Sequence, residues 1–421
     1  MDFGVSSLEA CKTSCTLLPS FRCEAVLFST SRKCYRKRHV DLAHCSDDSA
    51  YSLHLRTTAR PPSLATPLII DTDMGFDVDD AMALCMAHAL HDLGEARLIG
   101  VLHSYGYPKG IAAASVLSHW YGHDDVPLGA YKGTFGRDVE HPNEWKTGDY
   151  VPMLTGGRWN MPVDSSERVA DASDVYRAAL AGAEDGSVVI AALGFATNLA
   201  NLLTSGGDEH SPLTGVELVR AKVRRVVWQG GWYPARHQHE HPQPDQEFNW
   251  GCGSRWFVRD ADCEGSASFV VEHLPETVEQ VFSEDGFFMP TGGALMQCAS
   301  EANPCRQALE TNMRAWGLQP SEGRASWDAL VTLVAVRGAE EVGGHLEGLG
   351  GFNLIDPNGT NVWHAGSAPQ KRQSYLRLEG DNHWKVMEEK LKKQGHAPAA
   401  ELELQREINR LLCRPSNAQG E

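Results

Sequence analysis

Between Leu68 and Leu84 the chain reads Leu68-Ile69-Ile70-Asp71-Thr72-Asp73-Met74-Gly75-Phe76-Asp77-Val78-Asp79-Asp80-Ala81-Met82-Ala83-Leu84, with five carboxylates inside ten residues. Like charges packed that closely raise one another's pKa or demand a counterion. Aspartate oxygens suit a hard cation such as Ca²⁺ or Mg²⁺, and the stretch has no Cys or His to favour zinc. A helix's preference for acidic residues in its first turn accounts for Asp79 and Asp80. It does not account for Asp71 and Asp73, which alternate at the end of an apolar run. The expectation is therefore a metal site at a strand-to-helix turn.

The elements that would position these carboxylates are readable from periodicity. Leu68 to Ile70 read as a buried strand, and Ala81, Met82, Leu84, Cys85, Met86, Ala89 and Leu90 recur with helical spacing. Arg97 to Leu102 reads as a second strand and the Ala-rich run from Gly110 to Trp120 as its crossover helix. Ser187 to Ala192 is a buried strand turning into a helix near Thr197, and Val223 to Gln229 is a further strand. Phe269 to Pro275 reads as the next strand, with Val278 to Ser283 beginning a surface segment. Gly323 to Leu333 opens a helix, Asp356-Pro357-Asn358-Gly359 marks a hairpin, and Trp384 to Leu391 and Glu401 to Leu412 read as an amphipathic C-terminal helix. Strands alternating with helices imply an α/β protein with an open, mostly parallel, Rossmann-like sheet flanked by helices. Such sheets bind ligands outside the carboxyl ends of their strands. The segment from Phe135 to Pro162, rich in Gly, Pro and Trp, reads as a flap bordering the site.

Composition narrows the classes. The 421 residues with 42% hydrophobic content can hold one large domain and a small one. The net charge of −17 argues against a nucleic-acid partner, which would need a basic face. No apolar run reaches about 18 residues, so no membrane span is expected. No basic region followed by an apolar one opens the chain, so no signal peptide is expected in it as written. Residues 1–60 carry nine Lys/Arg against six Asp/Glu, a net of +3, which leaves −20 for the rest. That asymmetry supports two units.

The acidic stretch resembles the signature of the inosine-uridine nucleoside hydrolase family, Asp-Thr-Asp-Pro-Gly-x-Asp-Asp, in a divergent form. Met74 replaces the Pro, and two extra residues separate Gly75 from Asp79-Asp80. Three further motifs follow in the family's order: Leu193-Gly194-Phe195-Ala196-Thr197-Asn198-Leu199-Ala200, then Glu247-Phe248-Asn249, then Ser326-Trp327-Asp328. The resemblance implies Ca²⁺ held by Asp73, Asp80, the carbonyl of Thr197 and Asp328. It implies hydrolysis of the N-glycosidic bond of a ribonucleoside to base and ribose, in purine and pyrimidine salvage. The attacking water would be metal-bound, with Asp73 as its base. Asp77 or Asp79, with Glu247 and Asn249, would hold the sugar hydroxyls, and either could take the part of the first Asp of the usual pair. The family's Asn at the end of the second strand is missing from His103-Ser104-Tyr105-Gly106, where His103 or Tyr105 could substitute. Trp327 stands where a His often precedes the last ligand. An indole cannot protonate a leaving base, so activation must come from elsewhere, from stacking, or not be needed. Family members are commonly dimers or tetramers, which implies a homo-oligomer.

Residues 1–56 read as a Cys-rich module, 57–66 as a polar, Pro-rich linker and 67–415 as the catalytic domain. Cys11, Cys15, Cys23, Cys34 and Cys45 lack the spacing of a zinc knuckle and suggest a disulfide framework in a secreted or extracellular setting. The arrangement resembles a PAN/apple-type module, which implies a carbohydrate or protein ligand. His237, His239 and His241 read as a solvated loop rather than a zinc set. The remaining cysteines, Cys85, Cys252, Cys263, Cys298, Cys305 and Cys413, read as core thiols or extra bridges. Two alternatives stay open: a hydrolase of a different glycoside or sugar-like substrate with the same calcium site, and a non-catalytic carbohydrate-binding protein.

Overall fold

The computed structural model describes residues 25–29, 34–37, 51–55, 65–137, 150–231, 233, 247–253, 262–283, 285–286, 289–366, 368, 371–378 and 399–417. The pairing of the five N-terminal cysteines, the His237 to His241 run, residues 138–149 of the expected flap and the expected helix at 384–391 fall outside them. The chain divides into two compact units, Met1–Ala65 with Asp92–Glu95, and Thr66–His91 with Ala96–Glu421. The first contains three antiparallel strands, β1 (Ala25–Ser29), β2 (Cys34–Lys37) and β3 (Tyr51–Leu55), in the order β2-β1-β3.

The second unit is built on a nine-stranded sheet. Its strands are β4 (Thr66–Thr72), β5 (Ala96–His103), β6 (Leu128–Ala130), β7 (Ala170–Asp171), β8 (Val188–Ala192), β9 (Val223–Gln229), β10 (Glu279–Ser283), β11 (Gly344–Glu347) and, beyond the β12 (Phe352–Ile355) and β13 (Asn361–His364) hairpin, β14 (Gln373–Leu378). The order is β11-β14-β10-β9-β8-β4-β5-β6-β7, and only the edge strand β11 runs antiparallel to its neighbour. Strands buried on both faces need near-continuous apolar sequence. Leu68, Ile69 and Ile70 of β4 and Val188 to Ile190 of β8 supply it, all with no exposed surface. From β4 the chain moves outward through β5, β6 and β7, then returns to the other side of β4 with β8. The β4/β8 boundary is thus a topological switch point, where open α/β sheets leave a crevice.

Helices cover the sheet: α1 (Asp79–Asp92), α2 (Gly110–Trp120), α3 (Ala172–Ala181), α4 (Thr197–Thr204), α5 (Ser266–His273), α6 (Pro304–Ala315), α7 (Trp327–Arg337) and α8 (Ala399–Leu412) are the ones used below. One expectation is corrected. Phe269 to Pro275 is not a strand: Ser266–His273 is helical, and the strand is Glu279–Ser283, placed in the sheet between β9 and β14. Phe269, Val270 and Val271 favour strand locally. However, Ala267, Val270, Val271 and Leu274, spaced for one helical face, are the residues that are buried.

All six cysteines of the large unit are bridged, as Cys85–Cys305, Cys252–Cys263 and Cys298–Cys413. Cys85–Cys305 joins α1 to α6 across 220 residues of sequence. Long closed loops restrict the unfolded chain most, so a Cys85→Ser/Cys305→Ser double variant is expected to lose about 3–5 kcal/mol, read as a lower urea midpoint. An unchanged midpoint would show that this bridge does not hold α1 against α6. Among the described residues no helix is long and apolar enough to cross a membrane.

Candidate metal centre

β4 ends by delivering Asp71 and Asp73 to the switch point. Asp71 faces inward and is consumed structurally: the Tyr176 hydroxyl and the Asn198 amide donate to its two oxygens, each at 2.8 Å. Burial pushes this carboxyl up to about 7 despite those donors. Asn198 also donates to the carbonyl of His103 at 3.1 Å, so one side chain ties the starts of three loops together. This network, unassigned in the sequence, fixes where β4 ends.

The next carboxylates form the centre. Oxygens of Asp79, Asp80 and Asp328 lie within 4.8 Å of one another, and all three residues are buried. α1 begins at Asp79 and α7 at Trp327, so the cluster joins two helix starts where backbone N–H groups are unspent. The N–H of Asp328 donates to Asp79 Oδ2 at 3.3 Å, and the Thr72 hydroxyl donates to Asp80. Asp80 and Asp328 bring their buried carboxyl oxygens within 4.8 Å of each other, a separation at which two ionised carboxylates repel. Either a proton or a cation must sit there. Burial is the leading cause that raises all four acids, Asp80 to about 7 and Asp73, Asp79 and Asp328 well above the ordinary carboxylate range; mutual repulsion adds to it. An all-oxygen, buried, repulsive set fits a hard divalent cation.

Asp73 adjoins this triad. Its carboxyl feels Asp80, Asp79 and Glu247. Glu247 and Asn249 arrive from a turn. Glu247 Oε2 accepts from the N–H of Trp250 at 2.8 Å, and Asn249 donates to the Leu193 carbonyl at 2.7 Å and to Gln229. Both side chains are therefore fastened beside the ends of β8 and β9. Thr197, at the start of α4, donates through its hydroxyl to the Ser104 carbonyl.

Gly194 lets these pieces meet. A Cβ there would lie 2.5 Å from the Asp73 nitrogen, 2.7 Å from Asp73 Cβ and 2.7 Å from Ser104 Oγ. Gly194→Ala must displace Asp73, and misplacement of about 1 Å at a reacting group can cost about 10²-fold. The expected result is a 10- to 100-fold lower turnover (order of magnitude) with an unchanged circular dichroism spectrum; full turnover would show that the β8 loop does not locate Asp73.

The remaining sequence candidates are distributed differently. His103 is fully buried, with its ring nitrogens 3.0 Å from the carbonyls of Tyr105 and Met74. Burial lowers its pKa to about 4, so the ring is neutral and its single N–H donates to one of these two carbonyls. Tyr105 packs against it, and its buried hydroxyl has no hydrogen-bond partner among the described residues. Asp77 is engaged by Arg324, whose Nε donates at 2.9 and 3.1 Å and whose Nη2 donates as well. Asp79, not Asp77, thus joins the triad. The Arg324 guanidinium lies 5.5 Å from the Trp327 ring and 5.7 Å from the Trp316 ring. Tyr150 bridges the same loop, accepting from the N–H of Gly75 at 2.9 Å and donating to the Asp77 carbonyl at 2.8 Å. Arg324 and Tyr150 had no signal in the sequence, since each is recognisable only by the loop it reaches.

A mostly parallel sheet with an acid cluster at its switch point defines an α/β protein with a candidate ligand site at its strand ends. Residues 68–253 match the family model of inosine-uridine preferring nucleoside hydrolase. Among solved structures, a purine-preferring ribonucleoside hydrolase from Gardnerella vaginalis is similar at 16% identity and a TM-score of 0.52, over 82% of this chain and 99% of its own. The type III effector protein XopQ, solved with adenosine diphosphate ribose, is similar at 16% identity and a TM-score of 0.53, over 83% and 94%. No curated protein matches the chain. At such identity the solved structures establish the shared fold, and the family match covers the stretch that carries Asp73, Asp79, Asp80, Thr197 and Glu247.

Proposed function

We propose that the large unit is a calcium-dependent hydrolase of the N-glycosidic bond of ribonucleosides, releasing base and ribose. The observation that carries this reading is the buried Asp79, Asp80 and Asp328 triad with Asp73 and Glu247 beside it at the sheet's switch point. Asp73, Asp80, the Thr197 carbonyl and Asp328 would hold Ca²⁺, with Asp79 close enough to join them. When bound, the ion supplies charge compensation and Lewis acidity toward the oxygens around it. Asp73 takes a proton from the water attacking the anomeric carbon. As the C–N bond lengthens, its electron pair leaves with the base and the sugar gains oxocarbenium character, which the surrounding carboxylates stabilise. Asp79, Glu247 and Asn249 hold the sugar hydroxyls, and the Tyr105 hydroxyl is a further donor beside Asp73. His103 holds the loop rather than the sugar, and Asp77 serves Arg324.

A second reading, a sugar-like substrate other than a nucleoside, is favoured by Trp327 standing in place of an imidazole. Incubation with a panel of nucleosides, other glycosides and ADP-ribose, followed by a reducing-sugar assay with and without chelator, tests both. Release of ribose from nucleosides that chelator abolishes supports the first reading; release only from another substrate replaces it with the second. No release from any substrate leaves a carbohydrate-binding role. For the N-terminal unit we propose a PAN/apple-like module with a carbohydrate or protein ligand.

A further inference from the structure

Cleavage of a C–N bond leaves a base carrying the bonding electron pair. A nucleobase nitrogen is basic enough to need neutralisation, and Trp327 offers no proton for it. The structure provides a cation three residues earlier. Arg324 is anchored through its main chain, whose N–H and carbonyl pair with Thr291 at 2.9 and 2.8 Å. Its guanidinium is fixed by Asp77 and lies near the rings of Trp316 and Trp327. It bears electrostatically on Asp79, a member of the metal triad. Asp77 takes Nε and Nη2, while Nη1 donates no hydrogen bond among the described residues. That side is partly open: Trp316, beside the guanidinium, is 37% exposed. Planar aromatic walls with one fixed, unspent N–H edge on the Asp79 side of the acid cluster are features a departing heterocycle requires.

Resting on the hydrolase reading above, we infer that Arg324 is the leaving-group catalyst of this site and that Asp77 is its positioning residue. The Nη1 N–H edge hydrogen-bonds the base as the C–N electron pair collapses onto it, offsetting the developing negative charge. A guanidinium does not give up its proton at neutral pH, so the base anion takes its proton from solvent after cleavage. The two residues inserted between Gly75 and Asp79 acquire a purpose in this scheme, because Asp77 is one of them or adjoins them.

The test compares inosine with p-nitrophenyl β-D-ribofuranoside, whose nitrophenolate leaves without assistance. For each protein the measured quantity is the ratio of inosine to nitrophenyl riboside turnover, which does not depend on how much of a variant folds. Removing one preorganised donor costs about 10²-fold, so Arg324→Gln is expected to lower that ratio about 10²-fold. Arg324→Lys, which keeps the charge, should recover part of the loss, and Asp77→Asn should show a smaller loss of the same kind. Ratios unchanged within threefold, in Arg324→Gln or in Arg324→Met if the first is inactive on both substrates, overturn the inference and leave the hydrolase reading intact. Inosine is replaced by whichever nucleoside of the panel the wild-type protein cleaves fastest; a wild-type protein that cleaves no nucleoside of the panel overturns the nucleoside hydrolase reading itself, and the inference with it.

Discussion

Asp73→Ala is expected to lower nucleoside turnover about 10³-fold, the middle of the range for losing a general base, while the protein stays folded. Asp73 sits at the end of the central strand, buried among Asp79, Asp80 and Glu247. Removing its carboxylate relieves repulsion in a site that holds too much negative charge, so the thermal midpoint in chelator should not fall. The same substitution also removes a proposed calcium oxygen. Turnover must therefore be measured at saturating Ca²⁺, with Ca²⁺ affinity measured separately by calorimetry. A low turnover that excess Ca²⁺ does not restore marks Asp73 as the base. Turnover restored by excess Ca²⁺ reduces its part to that of a ligand, and turnover within tenfold of wild type removes it from the mechanism.

How much of this site could be read beforehand depends on how far apart the cooperating residues lie. Asp71, Asp73, Asp79 and Asp80 announce themselves because one apolar strand and one helix start enclose them within ten residues. The strand over Val223–Gln229 and the helix over Gly110–Trp120 coincide with their sequence patterns, since Val223 and Val226 to Trp228 of the one and Gly110 to Ser118 of the other are buried. The choice between Asp77 and Asp79 could not be read locally. It is made by Arg324, 247 residues further along, which takes Asp77 out of the cluster. The bridges Cys85–Cys305 and Cys298–Cys413 are similarly invisible, because cysteine spacing carries no pairing information at separations of 220 and 115 residues. The helix at Ser266–His273 was hidden by β-branched residues whose burial, not their propensity, decides their conformation.

Chelated protein is expected to lose stability as pH rises from about 6.5 to 8.5, and Ca²⁺ is expected to cancel most of that loss. The window is set by the groups themselves. His103, lowered to about 4, and His88, lowered by burial, bind fewer protons folded than unfolded only below the ordinary histidine pKa. Their stabilising effect therefore grows with pH up to about 6.5 and is flat above it. The raised carboxylates act in the opposite sense. Asp80, at about 7 when folded, contributes stability that is complete below the unfolded carboxylate pKa and vanishes as pH climbs through 7. Across the window Asp80 alone accounts for about 1 kcal/mol, and burial and mutual repulsion raise Asp73, Asp79 and Asp328 in the same direction. Asp71, also at about 7, contributes a similar loss, but its partners Tyr176 and Asn198 are not cation ligands, so Ca²⁺ should leave that part untouched. At a Ca²⁺ concentration one hundred times its Kd the gain is about 2.7 kcal/mol, and it should shrink toward acid pH as protons compete for the same oxygens. Asp79→Asn separates the two effects: with one like charge gone, the chelated protein should unfold at a higher temperature than wild type at pH 8 yet gain less from Ca²⁺. A wild-type midpoint that falls across the window but is indifferent to divalent cations would mean that the triad is held by shared protons alone, and the cation-dependent reading of this site would fall.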